Sequence, residues 1–136
     1  MGSSIKRIAL CMVLLCFSSS AQVATAGTHK IMIFGGDDHK TYLGCLSCSS
    51  VAIDSVLNRY GDHGSRYSDE SIFNPYGDFG GHYSSKSPCN SYASDPPVIV
   101  DEEGNYYGEL TVNTYSTRRA QSESLNAWLE GVCSAE

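Results

Sequence analysis

Residues 55–94 read SVLNRYGDHGSRYSDESIFNPYGDFGGHYSSKSPCNSYAS, and this stretch repeats itself. SVLNRYGDHGSRYSDE aligns with SIFNPYGDFGGHYSSK without a gap, so the period is the interval from Ser55 to Ser71, and SPCNSYAS begins a third copy before it stops. The residues that recur are Ser55, Ser71 and Ser87, then Asn58, Asn74 and Asn90, then Tyr60, Tyr76 and Tyr92, with Tyr67 and Tyr83 as a second tyrosine pair. Recurrence at a fixed spacing predicts one local structure that is built more than once.

The residue types in each unit favour a tight turn followed by a Gly/Ser loop. A serine at the start can accept hydrogen bonds from the free amides of a helical turn. Pro75 prevents a long helix, because it pushes Asn74 out of the helical region. The glycine after each tyrosine is expected to supply a left-handed exit from the turn. We expect the tyrosine rings to bury apolar area and their hydroxyls to reach partners or water.

The repeats allow three functional interpretations. The first is a compact, tyrosine-stapled platform of loops with no chemistry of its own. The second is ligand or partner binding by exposed tyrosines, which offer a large contact area at low entropic cost. The candidate binding residues are Tyr60, Tyr67, Tyr76, Tyr83 and Tyr92. The third and weakest is calcium at Asp62 and Asp78, because each unit offers one carboxylate to an ion that takes six to eight oxygens.

The segment 1–26 is typical of a secretory signal peptide. Lys6 and Arg7 form a basic start, residues 8–17 form an apolar run, and Ala24-Thr25-Ala26 is the small-x-small pattern that precedes cleavage. The apolar run is too short to span a bilayer as a stable helix. The sequence therefore predicts a signal peptide over 1–26 and a single secreted domain over 27–136, in the periplasm or the medium.

The domain is expected to be acidic. Removing the two basic residues of the signal peptide, and no acid, leaves seven Lys and Arg against fifteen Asp and Glu, a net charge of −8. A chain without a basic patch is a poor ligand for nucleic acid or anionic lipid. We expect no nucleic-acid partner, no membrane insertion after signal cleavage and no cofactor, with an unknown protein or small ligand as partner.

Two disulfides are expected in this domain, because an even number of cysteines in a small exported chain is typical of a disulfide framework. The cysteines that remain after cleavage are Cys45, Cys48, Cys89 and Cys133. We favour Cys45–Cys48 with Cys89–Cys133, and the second bridge would tie the C-terminal helix to the repeats. The other pairings, which join Cys45 and Cys48 separately to Cys89 and Cys133, stay open.

The Cys45-Leu-Ser-Cys48 stretch has three possible roles. It can be a small structural staple, a reducible thiol pair with one activated thiolate, or half of a zinc site. The zinc interpretation needs a second close pair of ligands, and Cys89 and Cys133 are far apart in sequence. The repeats do not preserve histidine either, since His63 aligns with Phe79. We therefore expect no zinc site and favour the staple.

The segments outside the repeats predict an α+β fold. His29–Phe34 is expected to form a buried strand, Asp37–His39 a solvated turn, and Thr41–Leu46 a second strand or a helix entry. Residues 49–58 fit a short helix only loosely. Val98–Val100 and Tyr106–Asn113 are expected to form strands joined by a glycine-bearing turn.

The C-terminal segment predicts a helix over Thr117–Val132. Leu125, Trp128, Leu129 and Val132 fall on one face, so Trp128 is expected in the core. The expected fold is a small antiparallel sheet, a Tyr/Gly/Ser-rich turn-repeat region and a C-terminal helix, stapled by disulfides.

The chain resembles a family of small, uncharacterised secreted bacterial proteins. The resemblance rests on IFGGDDHKTYLGCLSC, on the repeated S-x-x-N-x-YG-x-x-GS-x-YS units and on PPVIVDEEGNYYGELTVN, over roughly residues 31–114. It carries no activity to this chain. Members of that family have counterparts of Cys45 and Cys48, a tryptophan where Cys89 stands, and no counterpart of Cys133. This resemblance implies that Cys89 and Cys133 are an added pair.

A weaker resemblance is to thioredoxin-like proteins, which run strand, C-x-x-C, then a proline before a hairpin and a last helix. It implies that Cys45 is the attacking thiol and Cys48 the resolving one, with Pro97 beside them. The Tyr/Gly/Ser repeats depart from that pattern.

Two functions follow from these patterns. The first is a non-catalytic binding or structural module of the bacterial envelope or medium, since no nucleophile-elbow motif accompanies the serines and histidines. The alternative is a thiol-disulfide oxidoreductase that uses Cys45 and Cys48.

Overall fold

The computed structural model describes residues 29–135, so the expected signal peptide lies outside the described residues. The elements are β1 (Ile31–Gly35), β2 (Thr41–Cys45), β3 (Val98–Asp101), β4 (Tyr106–Glu109) and α1 (Glu123–Ser134), with a short 3₁₀ turn at Asp37–His39. The predicted α+β class is confirmed, with a four-stranded antiparallel sheet, a C-terminal helix and two disulfides. The long segment between β2 and β3 contains neither helix nor strand.

The sheet has the order β2-β1-β3-β4, so the two hairpins meet through their first strands. Ile33 of β1 lies opposite Ile99 of β3, and both side chains are buried. Branched apolar residues suit this position because they pack well against neighbours on a pleated surface. Leu43 of β2 joins them, and the core continues away from the sheet through Val56, Ile72, Leu110 and Leu129.

The two hairpins share one construction. Ile33 pairs with Gly44 in the first hairpin, and Ile99 pairs with Gly108 in the second. The register shifts directly after each isoleucine. The two glycines adopt nearly the same backbone angle, with φ of 119° and 118°. Side chains rarely adopt such a φ, so the same bulge requires glycine in both halves.

The similarity extends beyond the strands. The residue after each glycine forms an isolated parallel bridge to the residue ten positions later, Cys45 to Ser55 and Glu109 to Arg119. The stretches YLGCL (42–46) and YYGEL (106–110) occupy these equivalent places. The sheet is therefore a hairpin unit used twice, which the sequence analysis did not identify.

The repeats fold into a run of consecutive short turns, which we name the turn array (residues 49–93). Within it, the amide of one residue donates to the carbonyl three residues earlier, and this recurs every third residue. Examples are Ala52 to Ser49, Ser55 to Ala52, Asn58 to Ser55, Gly61 to Asn58, Asn74 to Ser71, Gly77 to Asn74, Ser87 to Ser84, Asn90 to Ser87 and Ala93 to Asn90. At Gly61 and Gly77 the carbonyl also accepts from the amide four residues on, which inserts one extra residue. Five steps of three plus one extra residue make up the full period of the repeat.

Serine or asparagine opens most of these turns, and its side-chain oxygen accepts from the amide two residues ahead. Ser71 accepts from the amide of Phe73 at 3.1 Å, and Asn74 accepts from that of Tyr76 at 3.1 Å. The Asn74 side-chain amide also donates to the Ser68 carbonyl at 3.1 Å, which links two turns. These are local side-chain turns and not helix caps. Residues 49–58, which fit a short helix only loosely, accordingly form turns and no helix.

Glycine has a different role in the array from the one expected. Gly61 and Gly77 have no positive φ, so the predicted left-handed exit is wrong. The closest approaches are at the glycines that end the four-residue steps. A Cβ on Gly64 would lie 2.0 Å from the Asn58 carbonyl oxygen, and one on Gly80 would lie 2.2 Å from that of Asn74.

We predict that Gly64→Ala severely destabilises the protein, because the added methyl would force two backbone segments apart. The matched control is Gly131→Ala in α1, where an added Cβ meets no described atom within 4 Å apart from its chain neighbours and its own helix backbone. Alanine should stabilise that helix by about 0.5–1 kcal/mol. Urea unfolding measures both free energies. Equal stability of the Gly64 variant and the wild type would contradict the close approach.

The helix begins six residues later than predicted, and β4 ends four residues earlier. Ser122 caps α1 by accepting from the Leu125 amide at 3.3 Å. The preceding segment cannot join the helix, because the Ala120 amide donates to the Glu109 carbonyl at 3.0 Å. Trp128 is partly buried and not in the inner core, whereas Leu129 is fully buried.

Asp101 closes the β3–β4 hairpin. Its two carboxylate oxygens accept from the side-chain and backbone amides of Asn105, the Glu103 amide and the Tyr107 hydroxyl, all at 2.7–2.9 Å. These donors, with the Asn105 side chain foremost, hold the pKa of Asp101 well below its usual range.

We predict that Asp101→Asn lowers the melting temperature at pH 7 and that the difference from wild type shrinks in acid. A depressed folded-state pKa contributes stability above the unfolded pKa of about 3.9, and that contribution is lost as the pH falls towards the folded value. Thermal unfolding between neutral pH and strong acid measures the effect. The control is the exposed neighbour Glu102→Gln. A difference in melting temperature between Asp101→Asn and the wild type that stays constant with pH would contradict this linkage.

Candidate functional site

The five array tyrosines point into solvent. The exposed fraction of Tyr60, Tyr67, Tyr76, Tyr83 and Tyr92 lies between 89% and 100%. The expectation that these rings supply burial is therefore wrong. Burial comes mainly from the serine that opens a turn and the residue after it, namely Ser55, Val56, Ser71, Ile72, Ser87 and Pro88, and His63, Asn74 and Cys89 are also buried.

The backbone beneath these rings is held in place. Asn58, Asn74 and Asn90 accept from the amides of Tyr60, Tyr76 and Tyr92 at 3.0–3.1 Å. Ser65 accepts from the Tyr67 amide in the same way, at 3.1 Å. A ring on a fixed backbone loses little freedom when a partner covers it, so its contact area contributes efficiently to binding.

A groove of about 1300 Å³ lies between the turn array and α1. Its inner surface includes Val56 and Ile72, and Trp128 faces it from the helix. Tyr67, Tyr76 and Tyr83 line it from the array, whereas Tyr60 and Tyr92 do not. The structure thus brings three of the five predicted binding residues to one concavity and adds Trp128, which the sequence analysis had assigned to the core.

One position of the repeat unit holds α1 against the array. Leu57, Phe73 and Cys89 recur at the interval of the repeat and hold equivalent turn positions. Phe73 packs edge-to-face on Trp128, with ring centroids 6.3 Å apart, and Cys89 forms a disulfide with Cys133. An aromatic contact and a covalent bond from equivalent places therefore set the width of the groove.

The charges that line the groove are basic. Arg59, Arg66 and His82 belong to the lining, and none of the described lining residues is Asp or Glu. This contrasts with residues 29–135 as a whole, where fourteen acidic side chains face seven Lys and Arg.

The four cysteines form the pairing that the sequence analysis favoured, Cys45–Cys48 and Cys89–Cys133. Cys45 is fully buried and Cys48 is partly exposed. Cys45 is the last residue of β2 and Cys48 directly precedes the turn array, so Cys45 is not at a helix N-terminus. An attacking thiolate needs access and a stabilising environment. This burial is opposite to the order that the redox alternative assigns.

The calcium candidates Asp62 and Asp78 and the turn at Asp37–His39 lie on the surface or in ion pairs. Asp62 and Asp78 are exposed, and residues 29–135 contain no cluster of three or more His, Cys, Asp or Glu placed to hold a metal ion. Asp37 forms an ion pair with Lys86 at 3.0 Å, and His39 lies 3.1 Å from Asp95.

A polar cluster beside β2 was not predicted. Lys30 and the Tyr42 hydroxyl both bind the Asp54 carboxylate, the latter at 2.7 Å. The His63 ring packs edge-on against Tyr42, with centroids 5.0 Å apart. Burial, together with the Asp54 charge, raises the pKa of Tyr42 to about 12, whereas Lys30 and then Tyr42 lower the pKa of Asp54. The neutral Tyr42 and the paired Asp54 carboxylate thus connect the start of β1, β2 and the first turns of the array.

Within residues 29–135, no helix has the length and apolar character needed to cross a bilayer. Comparisons of the chain with family models, with curated proteins and with solved structures found no match. The two resemblances described above therefore stay predictions.

We predict that replacing Cys89 and Cys133 by alanine costs about 3–4 kcal/mol of unfolding free energy, because their bridge closes a loop with a sequence separation of 44. The matched control replaces Cys45 and Cys48, whose separation is 3, and should cost clearly less. Chemical denaturation without reductant measures both. A larger loss for the short bridge would contradict the loop argument.

Proposed function

We propose that this protein is an exported, non-catalytic binding module of the bacterial periplasm or medium. The tyrosines of the turn array are its contact residues. The observation that carries the proposal is that five tyrosines, all on a hydrogen-bonded run of turns, are at least 89% exposed. Two disulfides are typical of proteins from oxidising compartments and support the location.

The physical support is the chemistry of exposed tyrosine. Large exposed aromatic groups on a monomer are commonly functional, and Tyr, Trp and Arg dominate the energetics of binding surfaces. The groove presents all three residue types through Tyr83, Trp128 and Arg66. The proposed module is a rigid platform whose repeats set the spacing between rings.

The burial of Cys45 supports a structural role for the Cys45–Cys48 bridge over the redox alternative. A redox titration separates the two. A reduction potential below about −300 mV is typical of an inert structural disulfide. A more oxidising potential, with insulin-reduction activity that Cys45→Ser abolishes, would favour the oxidoreductase.

We predict that Tyr60→Ala with Tyr76→Ala weakens binding by about tenfold per tyrosine and leaves the melting temperature nearly unchanged, because both rings are almost fully exposed. The measurement is retention of the purified protein on washed envelope and on medium polymers from the producing bacterium. The matched control is Tyr115→Ala, since Tyr115 is 92% exposed on an equivalent turn outside the array.

A double variant that loses folding in parallel with retention would overturn the proposal. So would unchanged retention, or an equal loss for Tyr115→Ala, because either result would show that the array tyrosines carry no specific contact.

A further inference from the structure

The groove beside α1 combines features that point to the chemistry of its occupant. Its aromatic lining comes from both sides, Tyr67 and Tyr83 from the array and Trp128 from the helix. Its charged lining is Arg59 and Arg66, and the His82 imidazole also belongs to it, in a protein that is otherwise acidic. Arginine binds carboxylates through two parallel hydrogen bonds, and this geometry favours an anionic ligand.

The basic and aromatic residues occur as repeated pairs. Arg66-Tyr67 and His82-Tyr83 are neighbours in sequence, stand one repeat apart, and all four line the groove. A site that repeats a basic group next to an aromatic ring suits a ligand that repeats an anion next to a ring-sized apolar face. A groove of about 1300 Å³ also exceeds the roughly 300–1,000 Å³ of typical small-molecule pockets.

We propose that this groove binds an acidic polysaccharide, with sugar rings stacked on Tyr67, Tyr83 and Trp128 and carboxylates bound by Arg59 and Arg66. The inference rests on the proposed binding function and names its ligand class. The C–H face of a pyranose ring is apolar and slightly positive, which complements the negative face of an aromatic ring. A uronic-acid polymer supplies such a face and a carboxylate in every residue.

An extended acidic peptide fits the groove less well. Peptides commonly bind by adding a strand to an exposed sheet edge. The turn array provides no such edge at the groove, because its amides and carbonyls bind one another every three residues. A ligand in the groove must therefore be recognised by the faces and charges of side chains. Sugar rings that carry carboxylates match both.

The net negative charge of the protein does not prevent this binding. At physiological ionic strength the Debye length is about 8 Å, so acids on other faces are largely screened from a polymer in the groove. Contacts with Arg59 and Arg66 are direct and are screened much less. Binding should therefore weaken as salt rises without disappearing, because ring stacking does not depend on salt.

The test is a titration of the purified, disulfide-bonded protein with polygalacturonate, dextran and poly-glutamate. Trp128 is the chain's single tryptophan, so its fluorescence reports occupation of the groove directly. We expect a Trp128 signal with polygalacturonate and none with neutral dextran. Arg59→Gln and Arg66→Gln should each weaken binding about tenfold. The matched control is Lys40→Gln, the same charge change on a side chain that is 79% exposed and outside the groove.

Each outcome has one meaning. Selective polygalacturonate binding that depends on the arginines, with Lys40→Gln unaffected and all melting temperatures unchanged, supports the inference. Stronger binding of poly-glutamate, equal weakening by Lys40→Gln, or no response to any acidic polymer overturns it. Those three results leave the proposed function standing if Tyr60→Ala with Tyr76→Ala still lowers retention on the envelope. Loss of both effects overturns the proposed function as well.

Discussion

A hydrogen bond from a backbone amide to the serine or asparagine oxygen two residues earlier is the interaction on which this structure depends. Helices and sheets satisfy backbone groups through long ladders, and a long segment with neither must satisfy them locally. In most turns of the array, a serine or asparagine side chain accepts from an amide that the three-residue turn leaves unpaired, as Asn74 does for Tyr76. Asparagine then uses its amide group to bind the carbonyl six residues earlier, which joins separate turns into one body.

Because serine and asparagine open most turns of the array, few apolar residues remain to form the core. The array contributes Val56 and Ile72 to the interior, and the sheet contributes Ile33, Leu43 and Ile99. Disulfides and polar side-chain contacts stabilise the margins of that core. The two hairpin units show this well, because equivalent positions after the bulge use different chemistry. Cys45 forms a disulfide, and Glu109 binds the Arg118 side chain at 2.8 Å.

The sequence allowed the strands, the disulfide partners and the C-terminal helix to be predicted, because apolar runs and cysteine spacing report on them directly. The exposure of Tyr60 and its equivalents was missed because the repeat unit was interpreted as one turn and a loop. It is five three-residue steps with one insertion, and the array tyrosines hold third places of their turns that are exposed, whereas the third places at His63 and Cys89 are buried. The start of α1 at Glu123 was also missed, since the bridge from Arg119 to Glu109 is a tertiary contact that no local pattern encodes. The basic lining of the groove depends on how α1 lies across the array, which spacing along the chain does not reveal.

The modular step of the turn array has an evolutionary consequence. Gly64 and Gly80 end equivalent steps with nearly the same close approach, so successive units share their local backbone geometry as well as their sequence pattern. Duplicating the codons of one unit in frame would lengthen the array by one whole unit and add two outward rings, while both hairpins kept their own pairing. Such a gene can change the number of exposed tyrosines in its product by slippage or unequal recombination, without altering either hairpin.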